Sequence, residues 1–352
     1  MGTITRSFAN NITSGGTFDA TDLTGTIPSS NIADASVTNI TAVPALVATT
    51  TVSSDPPSPD AGQVWYNTTD KALRAYIQGA GAWATGGTMN TARRVLGGAG
   101  TQTSALAFGG TPPTTGITES YDGSSWTEVA DLNTARRDIR GCGVDNTAVL
   151  AFGGDAPPYT AATESWDGST WTEVGDLNDA RAYGGGAGTS TAALYFGGFT
   201  PGVTANVELW NGSGWTEVGD LNTARYYHGG IGTSTSALAF GGDVSPKGQT
   251  ESWNGTAWTE VADLNTGREG LAGSGTTSAG LGFGGTGLAV VTEEWNGSSW
   301  SEVADLSNGR TDLAGSDNSA TAALAFGGNT GSPTTATEEW ALANVTTDLG
   351  VS

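Results

Sequence analysis

One pattern, repeated six times at a spacing of about 44 residues, dominates this sequence, and a period in this range marks a repeat architecture. Each copy begins with Thr-Ala-Arg or a relative, at Arg93, Arg136, Arg181, Arg225, Arg268 and Arg310. An apolar run ending in Phe-Gly-Gly follows each arginine, with its phenylalanine at Phe108, Phe152, Phe196, Phe240, Phe283 and Phe326, a spacing that varies by no more than one position. A variable loop comes next, then Glu-x-Trp, Asx-Gly and Trp-Thr-Glu-Val-x-Asp-Leu. A unit this short cannot bury its own apolar face, so the copies must bury it against one another.

Four strands fit inside a copy: Gly97-Gly-Ala-Gly-Thr101, Ser104–Phe108, Ile117–Tyr121 and Trp126–Val129. Between the last two strands, Asx-Gly recurs at Asp122-Gly123, Asp167-Gly168, Asn211-Gly212, Asn254-Gly255 and Asn296-Gly297. This is the strongest short-range hairpin signal, because both residues tolerate positive φ. The 55 glycines and 12 tryptophans suit short strands and sharp turns, and no long segment carries a helical apolar period. The fold class is therefore all-β, and four antiparallel strands repeated around a ring make a β-propeller. Six blades are expected, with seven as the alternative.

Spacing also suggests how the ring closes. The tryptophan opening each fourth strand precedes the next arginine by a constant step, and Trp83 and Arg93 keep that step, whereas no Asx-Gly follows Trp340. Residues 83–90 are thus expected to supply the fourth strand of the last blade. The alternative gives that role to Ala343–Leu349 and leaves 63–84 for an incomplete seventh blade. Over residues 84–340 the glycine pair, the aromatic and the following tryptophan resemble the kelch repeat, with a shorter turn from Tyr121 to Trp126.

The segment 1–60 differs: it is polar, with isolated apolar positions such as Ile4, Phe8, Ile12 and Phe18. Such a segment is expected to be either disordered or an extended arm that needs partner chains to bury its apolar side; the arm is the reading taken. Asp55-Pro-Pro-Ser-Pro-Asp-Ala-Gly62 reads as a stiff hinge. Residues 61–82 read as a hairpin connector, and 83–352 as the propeller. The runs Leu23-Thr-Gly-Thr-Ile-Pro-Ser-Ser-Asn-Ile-Ala-Asp-Ala35 and Gly62-Gln-Val-Trp-Tyr-Asn-Thr-Thr-Asp-Lys-Ala-Leu-Arg-Ala-Tyr76 resemble tail-fibre and appendage proteins of tailed, marine phages. The resemblance implies a virion structural protein on the particle surface, attached to other virion proteins through residues 1–60 and trimeric. Its head would meet a host cell-surface receptor, carbohydrate among the candidates.

Composition narrows the chemistry. The formal charge of −22, from 13 basic and 35 acidic residues, repels phosphate backbones and disfavours nucleic acid as a partner. With one cysteine and one histidine, no disulfide framework, zinc site or copper ligand set is expected. Cys142 stands where other copies have Ala99, Ala187 and Ile231, the place of a small buried side chain. No apolar stretch is long enough for a membrane-spanning helix, and Met1–Asn10 holds no apolar h-region of a signal peptide. The expectation is a binding protein, not an enzyme, without cofactor or metal.

The six arginines recur too regularly for a catalytic site. They are expected to pair with the equally periodic Glu119, Glu164, Glu208, Glu251, Glu294 and Glu339 between neighbouring blades. The segments that change between copies are the loops after Phe-Gly-Gly and the positions just after each arginine, including Arg137, Asp138 and Arg140, and alternation of strand direction puts both on one face. Loops on a rigid scaffold carry binding residues, so Tyr159, Tyr183, Phe199, Tyr226, Tyr227, His228 and Lys247 are the candidate ligand-binding residues. His228 is matched in other copies with Leu96, Arg140, Gly184, Leu271 and Leu313. Ser165-Trp-Asp-Gly-Ser-Thr-Trp171 resembles the Asp box of sialidase propellers, one residue short. That resemblance implies a glycan-cleaving alternative, with Tyr227 and Glu269 at its centre. A purely structural decoration protein is the other alternative.

Overall fold

A computed structural model describes residues 50–57, 63–316 and 319–349. The expected arm, residues 1–60, lies outside the described residues except for 50–57. Three strands precede the repeats: β1 (Thr50–Val52), β2 (Val64–Asn67) and β3 (Ala72–Thr85). The first copy gives β4 (Gly97–Thr101), β5 (Ser104–Phe108), β6 (Thr118–Tyr121) and β7 (Trp126–Val129). The second gives β8 (Arg140–Asp145), β9 (Ala148–Phe152), β10 (Thr163–Trp166) and β11 (Trp171–Glu173), and the third β12 (Gly185–Thr189), β13 (Ala192–Phe196), β14 (Val207–Trp210) and β15 (Trp215–Glu217). The fourth gives β16 (Gly229–Thr233), β17 (Ser236–Phe240), β18 (Thr250–Trp253) and β19 (Trp258–Val261), and the fifth β20 (Ala272–Gly275), β21 (Gly280–Phe283), β22 (Thr292–Trp295) and β23 (Trp300–Glu302). The last contributes β24 (Ala314–Gly315), β25 (Ala322–Phe326) and β26 (Thr337–Asp348).

These strands make five sheets of four strands and one of six, the latter ordered β1-β2-β3-β26-β25-β24. By internal contacts the chain divides into two units, Met1–Ala80 with Leu342–Ser352, and Gly81–Ala341. The C-terminal part of β26 groups with the first unit. Ala343–Asp348 simply continues β26, and residues 72–85 form the single strand β3.

In the first unit, β1 runs parallel to β2 and β2 antiparallel to β3. Asn67 Oδ1 shapes the turn by accepting from the amides of Thr69 and Asp70. Asp55 takes hydrogen bonds from Trp65 Nε1, Asn67 Nδ2 and Arg74 Nη1. Led by the Arg74 bond, they hold its carboxyl down at about 2.

In the propeller unit the apolar run of each second strand is fully buried, as at Ala105–Phe108. Every Phe-Gly-Gly phenylalanine packs against the fourth-strand tryptophan of the next sheet: Phe108 on Trp171, Phe152 on Trp215, Phe196 on Trp258, Phe240 on Trp300, Phe283 on Trp83 and Phe326 on Trp126, at 4.9–5.2 Å between ring centres. The chain of six contacts closes on itself. Trp83, in β3, also lies 5.5 Å from Trp340 of β26. First strands are glycine-rich because there is no room for more: a Cβ on Gly97 would sit 2.2 Å from the Phe108 ring.

A second interaction between sheets was not visible in the sequence. The fourth-strand tryptophans donate Nε1–H to a threonine opening the third strand of the preceding sheet: Trp83 to Thr292, Trp126 to Thr337, Trp171 to Thr118, Trp215 to Thr163 and Trp300 to Thr250. At the sixth junction the corresponding residue is Val207, and Trp258 Nε1 has no partner among the described residues.

The six arginines are buried, each at most 2% exposed. They pair with Glu119, Glu164, Glu208, Glu251, Glu293 and Glu338 at 2.5–3.1 Å. This corrects the expected pairing twice. The partners in the last two copies are Glu293 and Glu338, because the register opposite Phe283 and Phe326 puts those residues, not Glu294 and Glu339, on the arginine side. Glu339 instead accepts from the Tyr121 hydroxyl. The pair also lies within one blade: it ties the segment leading into a blade to that blade's own third strand. The second carboxylate oxygen of Glu119 accepts from the amide and Nδ2 of Asn90, and that of Glu251 from the same groups of Asn222. Such added hydrogen bonds help a buried charge pair offset its desolvation, although the Nε of five of the six arginines has no partner among the described residues.

Candidate functional site

The arginine–glutamate pair of each copy acts as a latch, and two positions after each latch arginine the backbone turns left-handed. Val95, Asp138, Tyr183, Tyr227 and Asp312 have φ of 50–64°, and Gly270 has 66°. Each donates its amide to the carbonyl of the preceding copy's residue: Asp138 to Val95, Tyr183 to Asp138, Tyr227 to Tyr183, Gly270 to Tyr227, Asp312 to Gly270 and Val95 to Asp312, at 2.7–3.2 Å. Six hydrogen bonds thus close a ring around the axis, with one residue from each of the six copies. Left-handed φ is costly for valine and tyrosine, so the closed ring must over-determine it.

The ring holds Tyr183 and Tyr227 side by side, with ring centres 4.6 Å apart. The residues just after the arginines also bridge to the variable loops, Arg137 to Asp155 and Ala182 to Phe199, and Asp155 and Phe199 bridge onward to Tyr159 and Val203. These bridges aim the loops at the ring. Tyr159 lies 6.0 Å from Tyr183 and 6.1 Å from Phe199; Phe199 lies 5.6 Å from Tyr226; Tyr226 lies 5.2 Å from Tyr227. Five of the seven candidate residues therefore form one continuous, half-buried aromatic surface drawn from three copies.

Polar groups border it. The Tyr226 hydroxyl donates to Asp243 Oδ2 at 2.5 Å, and that bond, with burial, pushes the phenol up to about 12. Lys247 is exposed, with Nζ 2.8 Å from Glu269 and 3.6 Å from Asp243, so it joins the surface through Asp243. Arg137 donates through Nε and Nη2 to Asp155 Oδ2. At the ring, burial pushes the Asp138 carboxyl up to about 7 and raises that of Asp312, which faces Arg94 at 3.4 Å. Burial raises the Tyr183 and Tyr227 phenols too.

His228 does not belong to this surface. It is fully buried, with its ring 5.6 Å from Phe196. The strand register also corrects its alignment. Arg140 lies opposite Phe152, as Gly97, Gly185, Gly229, Ala272 and Ala314 lie opposite their own phenylalanines. The counterpart of His228 in the second copy is therefore Ile139. The step from Arg136 to Phe152 is one position longer than that from Arg93 to Phe108, and the strand register in this copy shifts between Gly143 and Asp145. Sequence reading missed the ring with its member Asp312, the roles of Arg94 and Asp243, and the position of Arg140. Alignment of the copies from the arginine forward places Arg140 level with Gly97, whereas the main-chain bonds of the ring leave no such signal.

No family model matches the chain, and no curated protein matches it. Among solved structures, that of YjhT superposes with a TM-score of 0.59 at 12% identity, covering 75% of this chain and 97% of that one. At that identity the likeness speaks to fold alone, and with the sheets and the closed ring it shows this all-β chain to be a β-propeller.

Proposed function

We propose that this chain is a virion appendage protein whose kelch-like propeller binds carbohydrate on a host surface through Tyr159, Tyr183, Phe199, Tyr226 and Tyr227. The observation that carries the reading is the continuity of those five rings. They come from sequence positions that vary between copies, yet they meet at one place on a rigid ring. Flat aromatic faces with phenol, carboxylate and ammonium groups at their border offer a sugar both an apolar platform and hydrogen-bond partners.

Residence on a phage particle rests on the sequence resemblance of residues 23–35 and 62–76, and attachment and trimerisation through residues 1–60 rest on the same ground. Several copies on one particle would turn modest single-site affinity into firm adhesion. Binding of the full chain to a glycan array, with the saccharide recovered intact and with binding lost in Tyr183→Ala and Tyr226→Ala, is the expected result. Release of a cleaved product would instead favour a glycan hydrolase. Undiminished binding by both variants would sink the aromatic surface as the site.

A further inference from the structure

A small cavity of about 50 Å³ lies on the propeller axis among the first strands, lined mostly by glycine and by Leu96, Leu271 and Leu313. Two polar side chains interrupt that lining, Arg140 and His228. Both break the symmetry of the repeats. Arg140 stands where the other five copies carry glycine or alanine, and His228 where four of the others carry Leu96, Ile139, Leu271 and Leu313 and the fifth Gly184.

Both side chains have unused hydrogen-bonding capacity. The Arg140 Nε donates to Gly184 O at 2.6 Å and Nη1 reaches only Ile139 O at 3.5 Å. Among the described residues no carboxylate lies within 4.0 Å of this guanidinium, whereas all six latch arginines have one. His228 is 0% exposed, and among the described residues its ring nitrogens make no well-formed hydrogen bond, the Phe196 backbone being the one acceptor that bears on the ring. A guanidinium with spare donors and a buried imidazole that line one small cavity call for an acceptor. A water needs roughly 10–15 Å³ of such volume, so this cavity has room for a group of several heavy atoms. The planar fork of arginine matches a carboxylate or phosphate.

We propose that the axial cavity binds one small oxyanion, a carboxylate or phosphate group, held by Arg140 and His228. The site does not depend on the aromatic surface; failure here leaves the carbohydrate reading standing, and the reverse holds too. Arg140 also lines the narrower space at the ring, with Asp138, Tyr183, Tyr227 and Asp312. Where those two carboxyl groups ionise, they set a counter-field that favours a singly charged anion over a multiply charged one.

The test uses the full chain and its single histidine, whose ring resonances report on the cavity alone. Sodium acetate and sodium phosphate are titrated separately at constant ionic strength against sodium chloride. The expected result is a saturable shift of the His228 ring signals with a parallel rise in Tm, larger for acetate than for phosphate. Arg140→Gly installs the residue of three other copies, so it should fold, and it should weaken binding at least tenfold. His228→Leu, also the residue of other copies, loses the spectroscopic probe and is read by Tm, which should rise less. An oxyanion carried on a saccharide would shift the Tyr183 and Tyr227 signals as well, whereas a free ion shifts His228 alone. Absence of a saturable response to either anion, or an equal response in Arg140→Gly, overturns the proposal.

Discussion

The arginine that opens each copy and the residue two positions after it are equally periodic, yet the fold uses them in opposite ways. At the first position the side chain is the structural element: it is buried, ion-paired and identical in all six copies. At the second the backbone is the structural element, and the side chains are valine, aspartate, tyrosine, tyrosine, glycine and aspartate. Because the ring's hydrogen bonds are made by the main chain, its side chains are released to differ. Repetition therefore marks scaffold where side chains repeat, and a platform where only the main chain does.

Breaking a latch is the harshest test of that contrast. Glu251→Ala would strand Arg225 in the interior and remove the acceptor of Asn222, and removing one partner of a buried pair typically costs about 3–5 kcal/mol. Denaturant unfolding should show it, and a loss under about 1 kcal/mol would place the pair in the class of surface ion pairs. Asp138 tests the ring by pH. Its folded carboxyl keeps a proton up to about 7, while the ordinary value is 3.8. Between those values the native state binds a proton that the unfolded chain has released, so this group makes stability fall as pH rises from about 4 to 7. The effect is at most about 4 kcal/mol for a shift of that size. Asp138→Asn should flatten this slope relative to the parent in urea unfolding at several pH values. An unchanged slope would mean that Asp138 titrates normally.

On the platform, Tyr226→Ala should leave the unfolding midpoint nearly unchanged but weaken carbohydrate binding by about 2 kcal/mol, the loss typical of an anchor residue, as read by calorimetry. A collapse in stability instead would make Tyr226 part of the scaffold. The smallest effect concerns the one imperfect junction. Val207→Thr supplies the hydroxyl that Trp258 Nε1 lacks and should stabilise by about 1 kcal/mol. If stability does not rise, the threonines at the other junctions do not contribute through that bond.

Much of the architecture could be read from local signals. Asx-Gly turns, the apolar run before Phe-Gly-Gly and the constant step from tryptophan to arginine each constrain only their neighbours, and Trp83 does stand in the sheet with Trp340. Reading failed where register decides. The Glu-Glu pairs at 293–294 and 338–339 offer two candidates, and only strand pairing chooses between them. The longer step in the second copy displaced Arg140 by one place, enough to mistake it for the counterpart of His228. The platform was half legible. Variation singled out the five aromatic residues, but their junction depends on left-handed backbone at Tyr183 and Tyr227, a conformation that tyrosine does not announce.

The sheet that joins the two ends of the propeller unit has a consequence for synthesis. Gly81–Thr85 emerges from the ribosome before any blade exists, and its partner β26 comes only after all the rest of the unit has been made. Throughout that interval an unpaired strand waits with a bare hydrogen-bonding edge, the kind of surface that captures a neighbouring chain. Nascent copies growing close together could exchange this segment, so the same strand that seals one molecule is also its most exposed route to entanglement with another.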